Sequence, residues 1–153
     1  MVHYDHPRPA LAVDIALFRR QGEIPHILLI QRAKSPFQGQ CALPGGFVEM
    51  EESLLAAARR ELREETGIKN IDLTQVRAFG EPHRDPRGHV VSVLFTGILS
   101  SQHPSGLQAA SDASQAGWHP VHDLPELAFD HEQMVTAALQ AAGFPTGRER
   151  NTT

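Results

Sequence analysis

The chain alternates between short apolar segments and polar segments that contain glycine or proline, which is typical of a domain with several strands and few helices. The residues from Ala10 to Phe18 are almost continuously apolar, and a polar turn with Gly22 follows them. This pattern predicts a buried strand. A second apolar run, from Ile27 to Ile30, predicts a strand that pairs with the first as a hairpin.

The segment between Ser53 and Thr66 carries the clearest helix signal. Apolar residues recur there at every fourth position, which aligns them along one side of a helix. This predicted stripe consists of Leu54, Ala58 and Leu62, with Leu55 and Ala57 beside it. Ser53 is a typical N-cap residue and Gly67 a typical helix terminator, so both ends of the helix are predicted.

Three further strands and a second helix are predicted downstream. The strands are expected at residues 73–79, 90–99 and 117–121, and the helix at residues 131–142. This order of elements predicts an α/β domain in which a mixed sheet lies between helices.

The rest of the chain is expected to form loops and a tail. Residues 81–88 are polar and predict a loop, and residues 100–114, rich in Ser, Gln, Pro and Gly, predict an exposed loop. We expect one domain over residues 1–153, with its core at about 9–142 and a frayed tail at 143–153.

Composition narrows the class of protein. The 153 residues are 41% hydrophobic, which is enough for one core of ordinary size. The first residues lack the apolar segment of a secretory signal, so we expect a cytoplasmic protein without a membrane anchor. Cys41 is the only cysteine, which excludes an intrachain disulfide and a cysteine zinc site. Cys41 is expected to be a small buried residue and Trp118 a core residue.

The net charge of −4 argues against a protein that binds nucleic acid through its phosphates, because such proteins usually present a basic face. An acidic protein that acts on an anionic substrate would need a cation between the two. The charge therefore points weakly toward a bound metal.

Three carboxylates share one face of the predicted helix. At about 100° per residue, Glu61, Glu64 and Glu65 project within an arc of roughly 100°. Such a cluster repels itself unless a cation neutralises it, and oxygen ligands suit Mg²⁺ and Mn²⁺. Glu52 could add a fourth carboxylate by folding back from the preceding loop. Arg60 lies one turn before Glu64 and could hold that carboxylate by an i,i+4 ion pair.

Residues 46–68 read GFVEMEESLLAAARRELREETGI. A charge run of this kind is in general more often a solvated helix face, but the spacing here matches G-x5-E-x7-R-E-U-x-E-E-x-G-U, with U aliphatic. The matching residues are Gly46, Glu52, Arg60, Glu61, Leu62, Glu64, Glu65, Gly67 and Ile68. The segment therefore resembles the Nudix box. One visible departure is Glu51, where many family members carry glycine, and it puts the turn before Glu52 in question.

The resemblance implies an α/β/α sandwich with divalent metal, Mg²⁺ or Mn²⁺, on the box. Glu61, Glu64 and Glu65 would be metal ligands, with Glu52 and the Gly46 carbonyl as accessory groups. The implied reaction is attack of water on a phosphorus of a nucleoside diphosphate linked to another moiety.

The general base stays open in the sequence. The resemblance allows Glu65 or a carboxylate outside the box. Outside the box, Asp130 and Glu132 are candidates, because the loop before them could fold over the site.

Substrate candidates lie outside the box. The loop Arg84-Asp85-Pro86-Arg87-Gly88 resembles one in bacterial ADP-ribose pyrophosphatases, and its arginines could bind phosphate or stack on a base or ribose. A proline-fixed turn with solvated arginines is an equally good interpretation. Arg32, near the glycine turn, is a further candidate phosphate contact, although a strand-end charge is the favoured interpretation of this residue. The resemblance thus implies a small-molecule nucleotide substrate, with cleavage of ADP-ribose to AMP and ribose 5-phosphate favoured.

Two other functions stay open. One is the sanitation of oxidised nucleoside triphosphates. The other is a non-catalytic ADP-ribose sensor, as in regulators that carry an added winged-helix domain. About ten residues follow the last predicted helix, so we expect no such domain and no binding to nucleic acid. Many relatives form homodimers, and the sequence does not reveal whether this chain does.

Overall fold

A computed structural model describes residues 2–103 and 116–146. Its strands are β1 (Ala10–Gln21), β2 (Ile24–Gln31), β3 (Cys41–Ala42), β4 (Gly45–Phe47), β5 (Thr74–Phe79), β6 (Val90–Ile98) and β7 (Gly117–Pro120), and its helices are α1 (Leu54–Thr66) and α2 (His131–Ala141). Most of the predicted exposed loop, residues 104–114, and residues 147–153 of the predicted tail lie outside the described residues. The single-domain boundaries therefore stay a prediction.

The strands form one mixed sheet. The order is β3-β2-β1-β6-β5, with β4 paired to β1 and β7 paired to β2. Strands β1 and β6 run parallel from the pair Ala10 and Val90 to the pair Phe18 and Ile98, whereas the other pairs are antiparallel. The predicted hairpin of β1 and β2 and the predicted mixed sheet are confirmed.

Strand β1 is buried on both faces, which explains its nearly continuous apolar sequence. Val13, Ile15 and Leu17 point to the side of α1, and Ala16 and Phe18 point to the side of α2. The α1 side of the core is completed by residues such as Ala57, Ala58, Leu62, Val93 and Phe95, and the α2 side by residues such as Leu94, Met134, Val135, Ala138 and Leu139. The sheet is thus enclosed by a helix on each face, as predicted for an α/β/α sandwich.

Helix α1 begins and ends at the predicted residues. The Ser53 Oγ accepts a hydrogen bond from the Ala56 N–H at 3.1 Å, and Gly67 ends the helix with φ at 79°. Within the predicted stripe and its margin, Ala57, Ala58 and Leu62 are buried, Leu54 is half-buried and Leu55 is 37% exposed. No helix among the described residues is both long and apolar enough to span a membrane.

Strands β3 and β4 were not predicted, because two- and three-residue strands carry no periodic signal of their own. They form through pairing with their longer neighbours, Gly46 with Val13 and Gly45 with Asp14 in the case of β4. This pairing places the two glycines against the middle of the sheet, directly before the helix that carries the box carboxylates.

Candidate functional site

The two glycines of β4 leave room for carboxylates. A Cβ atom added at Gly46 would lie 2.5 Å from the Glu61 Oε1, and one added at Gly45 would lie 2.3 Å from the Val13 carbonyl oxygen and from the Asp14 Oδ1. These separations are far below ordinary van der Waals contact, so a side chain at either position would displace the backbone or a carboxylate. The pair thus forms a cradle in which acidic groups of α1 and β1 approach the β4 backbone.

Arg60 binds several carboxylates of the box. Its Nε and Nη2 donate to the two carboxylate oxygens of Glu52 at 2.7 and 2.9 Å, and its Nη1 donates to the Glu61 Oε1 at 2.8 Å. The predicted i,i+4 pair with Glu64 is present at 3.4 Å, longer than these three hydrogen bonds. Hydrogen bonds from Arg60 hold the pKa of Glu52 at about 2. Glu52 does fold back from its loop, as predicted, and its carboxylate is bound by the guanidinium.

The turn before Glu52 keeps a left-handed residue although it lacks glycine. Glu51 has φ at 65°, a conformation that costs a non-glycine residue about 1 kcal/mol. The Glu52 Oε1 accepts from the Glu49 N–H at 3.1 Å, which closes the turn. The turn before Glu52 therefore forms in this chain with glutamate at position 51.

The three box carboxylates differ in environment. Glu65 is partly buried and accepts from the Gly45 N–H at 3.3 Å, and burial, followed by the nearby charge of Glu61, raises its pKa to about 8. Burial also raises the pKa of Glu61, whereas the side chain of Glu64 is 54% exposed. Glu61 and Glu65 thus face inward, and Glu64 faces solvent.

The donor chemistry of these carboxylates fits a hard divalent cation. Within residues 2–103 and 116–146, no three His, Cys, Asp or Glu side chains converge closely enough to hold a metal ion as they stand. The inward carboxylates nevertheless repel one another, and a cation beside the glycine cradle would relieve this repulsion. Together with Glu64, which shares the Arg60 Nη1 with Glu61, the inward carboxylates would supply an all-oxygen ligand set.

A pocket of about 170 Å³ lies beside the glycine cradle, between β1, β4, the loop at residues 84–90 and the start of α2. Its charged lining consists of Asp14, Arg32, Glu65, Arg84, Asp85 and Arg87, and Phe47 and Phe129 add aromatic surface. The structure therefore brings the three arginines that the sequence singled out into the same pocket as one box carboxylate.

Arg84 forms a buried ion pair with Asp130. Its Nε donates to the Asp130 Oδ2 at 2.9 Å, its Nη2 donates to the Oδ1, and its side chain is 5% exposed. Both oxygens of Asp130, a candidate base, are thus bound to a guanidinium. Glu132, the other outside candidate, lines a separate surface pocket with Val135 and Thr136. Glu65 is the candidate base that lines the pocket beside the glycine cradle.

Arg87 and Arg32 are more accessible. Arg87 binds Asp85 through its Nε at 3.1 Å and its Nη2 at 2.8 Å, yet its side chain is 43% exposed. The guanidinium of Arg32 lies 4.8 Å from the ring centre of Phe129, and its Nε donates to the Pro36 carbonyl at 2.8 Å. Both side chains line the pocket, and Arg87 stays partly exposed although the Asp85 carboxylate that it binds is buried.

A buried polar cluster on the pocket floor was missed in the sequence analysis. Asp14 accepts a short hydrogen bond from the Ser92 hydroxyl, and its Oδ1 lies 3.6 Å from the His131 Nε2. The Leu43 N–H donates to the His131 Nδ1 at 3.0 Å, so the imidazole carries its proton on Nε2, toward Asp14. Burial lowers the pKa of His131 and raises that of Asp14. The one available signal was a lone acid within an apolar strand.

Comparisons with known proteins agree with this geometry. The family model described as the NUDIX domain matches residues 8–138. The chain is 41% identical over 128 residues to "ADP-ribose pyrophosphatase" of Methanocaldococcus jannaschii, covering 83% of this chain and 71% of that protein. It is 38% identical over 140 residues to "ADPR responsive transcriptional repressor NtrR" of Acinetobacter baylyi, covering 88% of this chain and about half, 55%, of the repressor.

A solved structure, the NUDIX domain of Shewanella oneidensis NrtR complexed with ADP ribose, has a TM-score of 0.79 and 35% identity to this chain. The match covers 91% of this chain and 94% of that one. The fold is thus shared with a solved NUDIX domain.

Proposed function

Because the chain belongs to the NUDIX domain family, we propose that it hydrolyses ADP-ribose to AMP and ribose 5-phosphate. The observation that carries the proposal is a single pocket in which Glu65 of the box and Arg32 and Arg87 face one ligand space. A diphosphate between two ribosyl groups needs cationic partners along its length and an acidic site at the bond to be cut. The identity to a protein named as an ADP-ribose pyrophosphatase supports the same substrate.

Nudix hydrolases generally depend on divalent metal, and the residues that would hold Mg²⁺ or Mn²⁺ here are Glu61, Glu64, Glu65 and the Gly46 carbonyl, with Glu52 kept in place by Arg60. When bound, the cation would neutralise phosphate oxygens and acidify water. Arg60 fixes Glu61 beside Gly46 and thereby sets the position of the ligand group.

The chain's own side chains supply binding and proton transfer. Arg87 and Arg32 bind the diphosphate by charge-assisted hydrogen bonds, and Arg84 holds the start of α2 in place through Asp130. We assign to Glu65 the acceptance of a proton from the attacking water, because among the candidate bases Glu65 lines the pocket beside the glycine cradle. The new P–O bond forms as the bridging P–O bond breaks, and attack at either phosphorus releases the same two products.

Product analysis tests the proposal. The protein with Mg²⁺ or Mn²⁺ should convert ADP-ribose into equal amounts of AMP and ribose 5-phosphate, resolved by ion-exchange chromatography. Release of orthophosphate, or intact ADP-ribose after prolonged incubation with either metal, would refute the proposed reaction.

Replacing Arg87 by alanine is expected to raise the KM for ADP-ribose by roughly 10- to 150-fold and to change kcat little. This range corresponds to about 1.5–3 kcal/mol for a charge-assisted hydrogen bond that is equally strong in the ground and transition states. Arg59→Ala, an exposed change on α1 outside the pocket, is the control. Unchanged ADP-ribose kinetics in Arg87→Ala would remove Arg87 from the substrate site.

A second candidate function, ADP-ribose-responsive DNA binding, is favoured by the 38% identity to the Acinetobacter repressor. The net charge of −4 opposes it, because duplex DNA is bound mainly through its phosphates. In gel-shift titrations at physiological salt we expect nothing tighter than about micromolar, the non-specific range. Nanomolar, sequence-selective binding that responds to ADP-ribose would instead make the chain a regulator.

A further inference from the structure

Two phenylalanines line the pocket beside the arginines, and neither is needed for metal or phosphate chemistry. We propose that Phe129, together with Phe47, forms the surface on which the nucleobase of the substrate stacks. This inference rests on the proposed function in that the substrate is a nucleoside diphosphate derivative. Beyond that function, it assigns recognition of one part of the substrate, the nucleobase, to these two rings.

The backbone holds Phe129 in place at a conformational cost. Phe129 has φ at 52°, a region that bulky side chains rarely occupy and that is found where a structure over-determines a functional position. The preceding residue, Ala128, is fully buried and donates its N–H to the Cys41 carbonyl at 2.9 Å. The following residue, Asp130, is bound by Arg84. Both neighbours are therefore fixed, and the ring between them lines the pocket.

The surroundings of the Phe129 ring differ from those of a core residue. The guanidinium carbons of Arg32 and Arg87 lie 4.8 and 5.5 Å from its centre, and the ring of Phe37 meets it edge-on at 4.8 Å. Planar, electron-poor groups stack well on an aromatic face. A nucleobase is also planar, and it can take part in the same kind of contact.

Phe47 provides the second ring. It is 44% exposed, although it directly follows the glycine pair and its own carbonyl accepts from the Arg60 Nη2 at 3.0 Å. Its ring centre lies 5.1 Å from the guanidinium carbon of Arg87, so Arg87 is shared between Phe47 and Phe129. A base bound here would cover exposed aromatic surface next to the guanidinium that holds the diphosphate.

Stacking recognises the presence of a base more than its identity, because every base has an aromatic face. The pocket should therefore require a nucleobase and discriminate weakly among bases. Binding of fragments separates these properties from catalysis: AMP carries the base, and ribose 5-phosphate carries only the sugar and phosphate.

Isothermal titration calorimetry with AMP, GMP and ribose 5-phosphate, in the presence of Mg²⁺, tests the inference without any turnover. Wild-type protein should bind AMP at least about fivefold more tightly than ribose 5-phosphate and bind GMP within about fivefold of AMP. Phe129→Leu, which keeps apolar bulk but loses the aromatic face, should weaken AMP binding roughly 5- to 100-fold. It should leave the affinity for ribose 5-phosphate unchanged, and Phe129→Tyr should restore AMP binding.

Phe47→Leu provides a second variant at an exposed position, where folding is not at risk, and should also weaken AMP binding. The matched control is Phe37→Leu, which removes an aromatic side chain outside the pocket lining and should lower AMP affinity far less than Phe129→Leu. Equal wild-type affinity for AMP and ribose 5-phosphate, or unchanged AMP affinity in both Phe129→Leu and Phe47→Leu, would overturn the proposal that a base stacks on these rings.

If ADP-ribose is still cleaved in that case, the proposed function stands without base stacking. If AMP binds as described but ADP-ribose is not cleaved, the proposed function alone fails.

Discussion

Replacement of Glu65 by glutamine is expected to lower kcat for ADP-ribose hydrolysis by at least about a hundredfold while the protein keeps its fold. Glu65 lies in the pocket, accepts from the Gly45 N–H, and is the carboxylate that we assign to both the cation and the attacking water. Glutamine retains the shape of the side chain but removes its charge. Because burial already disfavours the charged form of Glu65, the amide should not destabilise the protein.

Glu64→Gln should show a loss of similar size, because it also removes a charged metal ligand, and its exposed side chain can be replaced without disturbing the core. The measurements are kcat at saturating Mg²⁺ and circular dichroism to verify the fold. Glu126→Gln, at an exposed carboxylate outside this pocket, is the control. Near-wild-type turnover of both Glu64→Gln and Glu65→Gln would rule out the metal assignment.

Asp130→Ala is expected to lower the free energy of unfolding by about 3 kcal/mol, because it leaves the guanidinium of Arg84 buried without its partner. The Arg84 side chain is 5% exposed, and two of its N–H groups donate hydrogen bonds to Asp130. For a chain of this size the loss corresponds to a decrease in Tm of roughly 6–12 °C. Thermal denaturation monitored by circular dichroism measures it.

Two further variants test whether the lost ion pair causes the decrease in Tm. Asp123→Ala removes an exposed aspartate that precedes the same helix in the sequence and should leave Tm almost unchanged. The double variant Arg84→Met with Asp130→Leu should recover most of the lost stability, since apolar replacement of a buried ion pair is often nearly neutral. A Tm for Asp130→Ala equal to that of Asp123→Ala would show that the pair does not stabilise the fold.

The elements that the sequence predicted well are those with a strong local signal. Strand β1 is apolar because both of its faces are buried, and α1 has its cap at Ser53 and its stop at Gly67. Strands β3 and β4 could not be predicted, because their pairing with β2 and β1 alone makes them strands.

The same division holds for the site. The fixed spacing of the box predicted which carboxylates share a helix face, and the pair of Arg60 and Glu64 followed from helix geometry. Arg84 and Asp130 lie 46 positions apart in the sequence, and Asp14 and Ser92 lie 78 positions apart. No local sequence pattern predicts contacts over such separations. The metal, substrate and base roles of the individual residues stay predictions.

We propose that the box carboxylates and the arginine-lined pocket act together on ADP-ribose in preference to free nucleoside triphosphates. The most direct test compares kcat/KM for ADP-ribose, 8-oxo-dGTP and dATP under identical Mg²⁺ conditions. We expect the kcat/KM for ADP-ribose to be at least about tenfold higher than that for either triphosphate. Only ADP-ribose presents a nucleobase, a diphosphate and a terminal ribose to the pocket together. A kcat/KM for 8-oxo-dGTP or dATP equal to or above that for ADP-ribose would show that the pocket does not select ADP-ribose.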